Sequence, residues 1–72
     1  MEIRDVLAAN LKRLRAARGF SQEDLAELAS IDRTYVSALE RSVYAAGVDV
    51  LDRLARALGV TAAELLAEQQ DP

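Results

Sequence analysis

Hydrophobic residues recur along this chain at intervals of three and four positions, the period of an amphipathic α-helix. The first such segment predicts a helix from about Arg4 to Ala17. Its apolar stripe is formed by Ile3, Leu7, Leu11 and Leu14. Gly19 follows where a helix commonly ends in a left-handed residue, a conformation that costs glycine little. The pattern therefore predicts one amphipathic helix with a defined end.

The next stretch, Ser21 to Arg41, reads SQEDLAELASIDRTYVSALER and predicts two short helices joined by a turn. They would run from about Gln22 to Ala29 and from about Arg33 to Arg41, with the turn at residues 30–31. The side chains expected to face inward are Leu25, Leu28 and Ala29 in the first helix, and Val36 and Leu39 in the second. The outward face of the second helix is polar and low in bulk.

Polar residues at the predicted helix starts supply capping chemistry. Ser21 is an N-cap, and Asp24 three residues later completes a variant of the capping box. Asp32 is the N-cap of the following helix. Thr61 and Glu64 form another capping box. These residues mark three of the predicted helix starts.

The C-terminal third predicts a helix from about Val48 to Leu58, ended by Gly59, and a last helix opened by Thr61. No segment alternates with the period of two that is typical of a half-buried strand. The predicted fold class is therefore all-α, with five short helices in one domain over residues 1–68. Residues 69–72 are polar and are predicted to form a frayed tail.

Composition narrows the chemistry that this fold can carry. The chain has 72 residues, enough for one small domain, and contains neither cysteine nor histidine. This excludes a disulfide framework, a zinc finger and a cysteine- or histidine-based catalytic centre. We expect no enzymatic activity, cofactor, metal or small-molecule substrate. No apolar run approaches the roughly 18 residues of a membrane span and the N-terminus lacks a signal-peptide pattern, so we expect a cytoplasmic protein without a membrane partner.

Charge is unevenly distributed along the sequence. The formal net charge is −3, whereas domains that bind nucleic acid are often basic. Residues 1–20 carry five basic and two acidic side chains, a balance of +3. Residues 21–72 carry four basic and ten acidic side chains, a balance of −6. This distribution predicts a molecule with a basic side and an acidic side.

Three segments together resemble a known family: LKRLRAARGFSQEDLA, DRTYVSALER and LDRLARALGVTAAELL. They are similar to the Cro/C1-type DNA-binding domain of phage repressors, with a helix-turn-helix at the second and third helices. The segment DRTYVSALER looks especially like the small controller proteins of restriction–modification systems. The resemblance covers about Val6 to Leu66. It implies a five-helix, lambda-repressor-like fold and a sequence-specific transcriptional regulator, a repressor or controller, that acts as a homodimer on an operator in double-stranded DNA.

The resemblance places the outward face of the third helix in the major groove of DNA. Arg33 would donate two hydrogen bonds to O6 and N7 of guanine. Thr34 and Ser37 would offer hydroxyl groups, and Thr34 also a methyl group, to base edges. Ala38 is small and would let the helix lie deep in the groove. The plainer interpretation of these residues is ordinary solvated surface.

Three further residues are predicted to contact DNA phosphates. Gln22 lies in the first turn of the second helix, where exposed amides and the positive end of the helix dipole suit an anion. Tyr35 would pack in part and reach a phosphate with its hydroxyl. Arg41 lies at the end of the third helix. Alternatively, Gln22 is only a favourable residue at a helix start. Arg41 is then only a solvated surface residue.

Two more pairs of residues have predicted structural roles. Arg15 and Glu40 match a pair that forms an internal salt bridge between the first and third helices of phage repressors. Leu65 and Leu66 are predicted to lie in a dimer interface, with a plain core role as the alternative. One recognition helix reads only a few base pairs, which favours a two-fold dimer.

The sequence departs from the family pattern in three places. Ser30 and Ser42 stand where the family usually has glycine, so the turn at Ser30 needs a strained backbone or a different geometry. Residues 43–47 are largely apolar where the family often has basic residues near phosphates. This loop and the acidic balance favour an alternative function, a protein-interaction module that has lost DNA binding. An antitoxin-type regulator that binds both operator and toxin is a third alternative.

Overall fold

Five α-helices form the protein in a computed structural model that describes residues 2–69. They are α1 (Ile3–Ala17), α2 (Gln22–Ala29), α3 (Arg33–Glu40), α4 (Val48–Leu58) and α5 (Ala62–Leu65). Residues 2–69 contain no β-strand, in agreement with the all-α prediction. Apart from Gln69, the predicted tail lies outside the described residues. Within this range no helix has the length and hydrophobicity needed to cross a membrane.

The core is aliphatic, and every helix contributes to it. α2 packs against α3 and α4, whereas α1 contacts α3 and α5. The most deeply buried apolar side chains are Leu11, Leu25, Val36, Leu39, Leu54, Leu58 and Leu65. Fully burying one such side chain stabilises a fold by roughly 1.5–3 kcal/mol. This cluster therefore holds α3 firmly against α1 and α2 while leaving one side of α3 in solvent.

Three of the links between helices share one design, and we call them connectors: Gly19–Ser21, Ser30–Asp32 and Gly59–Thr61. The first residue of each connector has a positive φ, 72°, 57° and 72° respectively. The second is apolar, and the third is the N-cap of the next helix. The middle amide donates to the carbonyl five positions earlier, in the bonds Phe20 N–Arg15 O (3.0 Å), Ile31 N–Ala26 O (2.9 Å) and Val60 N–Ala55 O (2.9 Å). This is the hydrogen bond of a Schellman motif.

Side chains cap the helices where the sequence predicted caps. Ser21 Oγ accepts a hydrogen bond from Asp24 N at 3.0 Å, and Asp24 Oδ2 accepts one from Ser21 N at 2.9 Å. Thr61 and Glu64 form the second capping box. Asp32 Oδ1 accepts a hydrogen bond from Thr34 N at 2.8 Å. The starts of α2, α3 and α5 are thus each set by a side chain that satisfies an otherwise unpaired amide.

Two serines adopt a left-handed backbone, Ser30 with φ 57° and Ser42 with φ 60°. A residue with a Cβ atom loses roughly 1–2 kcal/mol in this conformation. Ser42 ends α3 much as Ser30 ends α2, because Val43 N donates to Ala38 O at 2.9 Å. Both serines stand where the family pattern has glycine, and the strained backbone expected at Ser30 is present.

The predicted outward orientation of Ala38 is wrong, because its side chain is only 4% exposed. At about 100° per residue, the five positions from Arg33 to Ala38 turn roughly 140° around the helix. The chain also folds back beside Ala38, whose carbonyl accepts the hydrogen bond from Val43. Ala38 therefore has almost no surface with which to contact a base, and its predicted base-reading role is withdrawn.

Two leucines also lie differently from their predicted positions. Leu28 is 56% exposed, not inward, because the buried arc of α2 runs through Leu25, Ala26 and Ala29. Leu65 has no exposed surface and belongs to the core cluster, so its predicted place in a dimer interface is wrong and the core alternative is correct. Leu66 packs against the same cluster but stays partly exposed.

A buried amide that the sequence reading missed joins the two ends of the fold. Asn10 is 1% exposed, and its Nδ2 donates to Leu65 O at 2.8 Å and to Ala67 O at 2.9 Å. Arg13 Nη2 donates to Asn10 Oδ1 at 3.3 Å. Carbonyl groups at a helix C-terminus lack partners within the helix. Asn10 on α1 satisfies them for α5, and we call this contact the Asn10 clamp.

Candidate nucleic-acid interface

One side of α3 is polar and open to solvent. Arg33, Thr34 and Arg41 are exposed, and Ser37 between them is partly exposed. At about 100° per residue these four positions span roughly a third of the helix circumference. An arginine lies at each end, and Arg41 Nε donates to Ser37 O at 3.3 Å. Four of the proposed DNA-contacting residues therefore share one face, which we call the reading face.

The cap of α3 adds a negative charge beside the reading face. The Asp32 carboxylate accepts a hydrogen bond from the Thr34 backbone amide, and this bond lowers the pKa of Asp32 below its ordinary value. The carboxylate stays ionised at neutral pH, close in sequence to the Arg33 guanidinium. It compensates the positive end of the helix dipole at this point. The first turn of α2 also carries acidic side chains, Glu23 and Asp24, so the helix dipole alone does not favour a phosphate at either helix start.

A buried ion pair lies beneath the reading face. Arg15 Nε donates to Glu40 Oε2 at 2.7 Å, and Arg15 Nη2 donates to Glu40 Oε1 at 3.1 Å. Glu40 is 4% exposed. The Glu40 carboxylate raises the pKa of the Arg15 guanidinium, chiefly through these hydrogen bonds. The predicted pair between α1 and α3 is thus present, in the bidentate geometry that is strongest for arginine and a carboxylate.

The ion pair also bonds to the start of α2 and to the connector that precedes it. Gln22 Nε2 donates to Glu40 Oε1 at 3.1 Å, and Arg15 Nη1 donates to Phe20 O at 2.9 Å. A carboxylate is purely an acceptor, so Glu40 fixes the amide nitrogen of Gln22 toward itself. The second N–H of that amide is left for another acceptor. The first turn of α2 is therefore tied to the helix that carries the reading face.

Tyr35 lies on another flank of α3 and is half-buried. Its ring meets the ring of Tyr44 edge to face, with centroids 6.0 Å apart and planes at 84°. The predicted partial packing of Tyr35 is present, although the sequence reading did not anticipate Tyr44 as the partner. Nothing in the local pattern links two tyrosines nine residues apart across a loop, so only the folded chain reveals the pair.

A second, apolar surface involves the loop after α3 and the start of α1. It is a groove lined by Ile3, Arg4, Leu7, Ala45, Ala46, Val48, Leu51 and Leu66. Val48 is 82% exposed and Ile3 58% exposed, so the groove has an apolar rim that is open to solvent. Across residues 2–69 no cluster of histidine, cysteine, aspartate or glutamate could hold a metal ion.

Comparisons with known proteins agree with this geometry. Residues 11–65 match a family model described as helix-turn-helix. The chain is 43% identical over 70 residues to a hypothetical transcription factor of Neisseria meningitidis serogroup B, covering 97% of this chain and 66% of that protein. The solved structure of a hypothetical transcription factor from Neisseria superposes with a TM-score of 0.92 at 43% identity, covering 96% of this chain and 79% of that one.

A second similar structure is that of a restriction–modification controller protein. The controller protein C.AhdI of Aeromonas hydrophila superposes with a TM-score of 0.83 at 37% identity, covering 86% of this chain and 94% of that one. The resemblance inferred from the three sequence segments is thus confirmed. The chain belongs to the helix-turn-helix family and is a DNA-binding transcriptional regulator.

Proposed function

We propose that this regulator binds a specific operator as a homodimer, with α3 of each subunit in the major groove. The observation that carries the proposal is the reading face, which is polar and open to solvent, whereas the other residues of α3 are buried or, for Tyr35, half-buried. In this placement Arg33, Thr34 and Ser37 contact base edges. An arginine at such a position suits guanine, because its guanidinium donates two hydrogen bonds to O6 and N7.

Phosphate contacts would hold the reading face in register. Gln22 would use its second N–H at the first turn of α2, Arg41 would act from the end of α3, and Tyr35 would use its hydroxyl group. Contacts of this kind position a protein on DNA without reading sequence. The bond from Gln22 to Glu40 supports this proposal, because it couples the phosphate-facing end of α2 to α3.

Dimerisation through the apolar groove would supply the second reading face. Leu66 lines this groove together with the exposed Ile3 and Val48, whereas Leu65 is entirely buried. A two-fold dimer would read half-sites about 34 Å apart, one turn of the double helix. Sedimentation tests this directly: we expect a dimer at tens of micromolar, and a monomer at that concentration would refute the dimer.

The test of base reading compares two arginines. In Arg33→Ala, binding to an operator selected from a random pool should weaken by about 1–3 kcal/mol, and the preference over mixed-sequence DNA should fall. Arg53→Ala is the matched control, since it removes the same exposed charge from α4. Equal losses for operator and mixed-sequence DNA in Arg33→Ala would show that Arg33 does not read bases.

A second candidate function is a protein-interaction module that has lost DNA binding. The exposed apolar side chains Val43 and Tyr44, at 52% and 57% exposure, favour it. Salt distinguishes the two candidates, because counterion release makes DNA affinity fall steeply as salt rises. Retardation of a mixed DNA pool at low salt that disappears at moderate salt supports the regulator.

As a regulator without catalytic activity, the protein would act in the cytoplasm on DNA.

A further inference from the structure

Asp32 lies at the N-terminal tip of α3, directly before the reading face. It is exposed, and its Oδ1 accepts a hydrogen bond from the Thr34 backbone amide at 2.8 Å. We propose that Asp32 is a specificity-determining residue, whose second carboxylate oxygen accepts a hydrogen bond from an amino group on a base edge, cytosine N4 or adenine N6. The proposal rests on the major-groove placement of α3 proposed above.

The cap holds the Asp32 carboxylate close to residues of the reading face. Its hydrogen bond comes from the amide of Thr34, so the carboxylate is fixed over the first turn of α3. Arg33 and Thr34 lie in that turn and belong to the reading face. In a helix-turn-helix, the N-terminal residues of the recognition helix contact base edges. A carboxylate at this tip would therefore enter the groove together with Arg33 and Thr34.

The bond to Thr34 also determines which oxygen of Asp32 would meet the DNA. Oδ1 is engaged in the cap, so Oδ2 is left for another donor. The lowered pKa of Asp32 keeps the carboxylate ionised at neutral pH, and in this form it is purely an acceptor. Cytosine and adenine each present an amino group in the major groove, whereas guanine and thymine present only acceptors there. Cytosine or adenine can therefore satisfy Oδ2, and guanine or thymine cannot.

Repulsion would make this contact selective. A carboxylate that faces O6 of guanine or O4 of thymine brings two acceptors together, and it removes a charge from water without giving it a partner. The neighbouring Arg33 has the opposite requirement, because a guanidinium group only donates. Asp32 and Arg33 would therefore demand opposite base edges. Such a combination rejects wrong sequences as well as attracting the right one.

The test replaces the free acceptor by a donor and keeps the cap. In Asp32→Asn the amide oxygen can still cap α3, which leaves the amide nitrogen in the place of Oδ2. Selection of bound duplexes from a random pool should give both proteins the same consensus except at one position in each half-site, which changes from cytosine or adenine to guanine or thymine. In fluorescence anisotropy, this single change in the operator should weaken wild-type binding roughly tenfold. For Asp32→Asn the order of the two operators should be reversed.

Two further variants separate the base contact from the charge and from the cap. Asp24→Asn removes the same charge from another exposed capping carboxylate, on α2, and should select the wild-type consensus. Asp32→Ser also retains a capping oxygen but carries no second polar atom, so it should weaken the preference at that position without reversing it. Both variants of Asp32 should melt close to the wild type, because each keeps the cap of α3.

Three results would overturn the inference. An unchanged consensus in Asp32→Asn would mean that Asp32 is only a cap, and it would leave the operator-binding proposal intact because the wild type still selects a sequence. A consensus that also lost the guanine assigned to Arg33 would mean that Asp32 acts by positioning Arg33. A wild-type protein that enriched no sequence would overturn this inference and the operator-binding proposal together.

Discussion

The three connectors have the same backbone design but differ in what stabilises them. The first and third begin with glycine, whereas the connector inside the helix-turn-helix begins with Ser30. Arginines also support the first and third: Arg15 Nη1 on α1 donates to Phe20 O at 2.9 Å, and Arg18 Nε, just after α1, donates at 2.8 Å to the carbonyl of Leu58, which precedes the third connector. The left-handed conformation therefore accompanies the Schellman hydrogen bond and the N-cap of the next helix, whichever residue comes first. Glycine only lowers the free-energy cost of that conformation.

The same comparison explains how α3 is held. A left-handed serine lies at each end of it, Ser30 before and Ser42 after, so both ends carry roughly 1–2 kcal/mol of backbone strain. The Glu40 ion pair and the core side chains of α3 must outweigh that strain. α3 is therefore held in place more by the Glu40 ion pair and its core side chains than by the links at its two ends.

The largest effect is expected when that support is removed. Glu40→Ala leaves the Arg15 guanidinium without its carboxylate and frees the Gln22 amide, so the free energy of unfolding should fall by about 3 kcal/mol, toward the lower end for buried pairs because Arg15 is partly exposed. Urea unfolding measures the loss. An unchanged midpoint would show that the Arg15–Glu40 pair does not contribute to holding α3.

Exchanging the first residue between connectors should change stability by about 1 kcal/mol in opposite directions. Ser30→Gly relieves the strain at φ 57° and should stabilise the protein. Gly59→Ser introduces strain and should destabilise it, since a Cβ there meets only Arg18 Nη2, at 3.9 Å, and does not clash. Thermal unfolding of both variants tests the comparison, which fails if Ser30→Gly gives no gain.

Acid should weaken the first two connectors. Asp24 and Asp32 each accept a backbone hydrogen bond, from Ser21 and Thr34 respectively, and this lowers the pKa of both. A lowered pKa in the folded state means that the stabilisation is complete above the unfolded value of about 3.9 and is lost as pH falls through the folded value. Urea midpoints from pH 7 down to pH 2 should show this decline.

Asp32→Asn provides the control for the acid experiment. Asparagine still accepts the capping hydrogen bond but does not titrate, so this variant should lose less stability on acidification than the wild type. An identical decline in both proteins would assign the acid sensitivity to other groups.

The smallest effect is expected at the exposed ion pair of α4. Arg56 Nε donates to Asp52 Oδ2 at 3.0 Å, but the two side chains are 81% and 58% exposed. Asp52→Ala should therefore lower the free energy of unfolding by at most about 0.5 kcal/mol. A loss comparable with that of Glu40→Ala would mean that burial does not separate the two pairs.

The features that the sequence predicted depend on neighbours a few residues away. The capping boxes at Ser21 and Thr61, and the stops at Gly19 and Gly59, follow from residue type and spacing, and the structure contains all four. The Arg15–Glu40 pair spans 25 positions, and only the family resemblance pointed to it. The helix limits were correspondingly accurate.

The features that the sequence did not predict depend on which side of a short helix packs against the other helices. α2 and α3 have eight residues each, so two or three side chains define their inner arcs. Alanine fits either side of a helix, which is why Ala38 was misplaced. The Tyr35–Tyr44 pair depends on how a loop folds back, and no local pattern encodes it.

The Asn10 clamp has a consequence for the order of folding. It joins residues 55 positions apart, and closing so long a loop is entropically costly unless the intervening helices have already packed. α5 has four residues, too few to be helical on its own. We therefore expect α5 to form last and to open first, ahead of global unfolding. Amide exchange at Leu66 should consequently be faster than in the core of α4, so any association surface that includes Leu66 becomes complete only when this final step of folding is done.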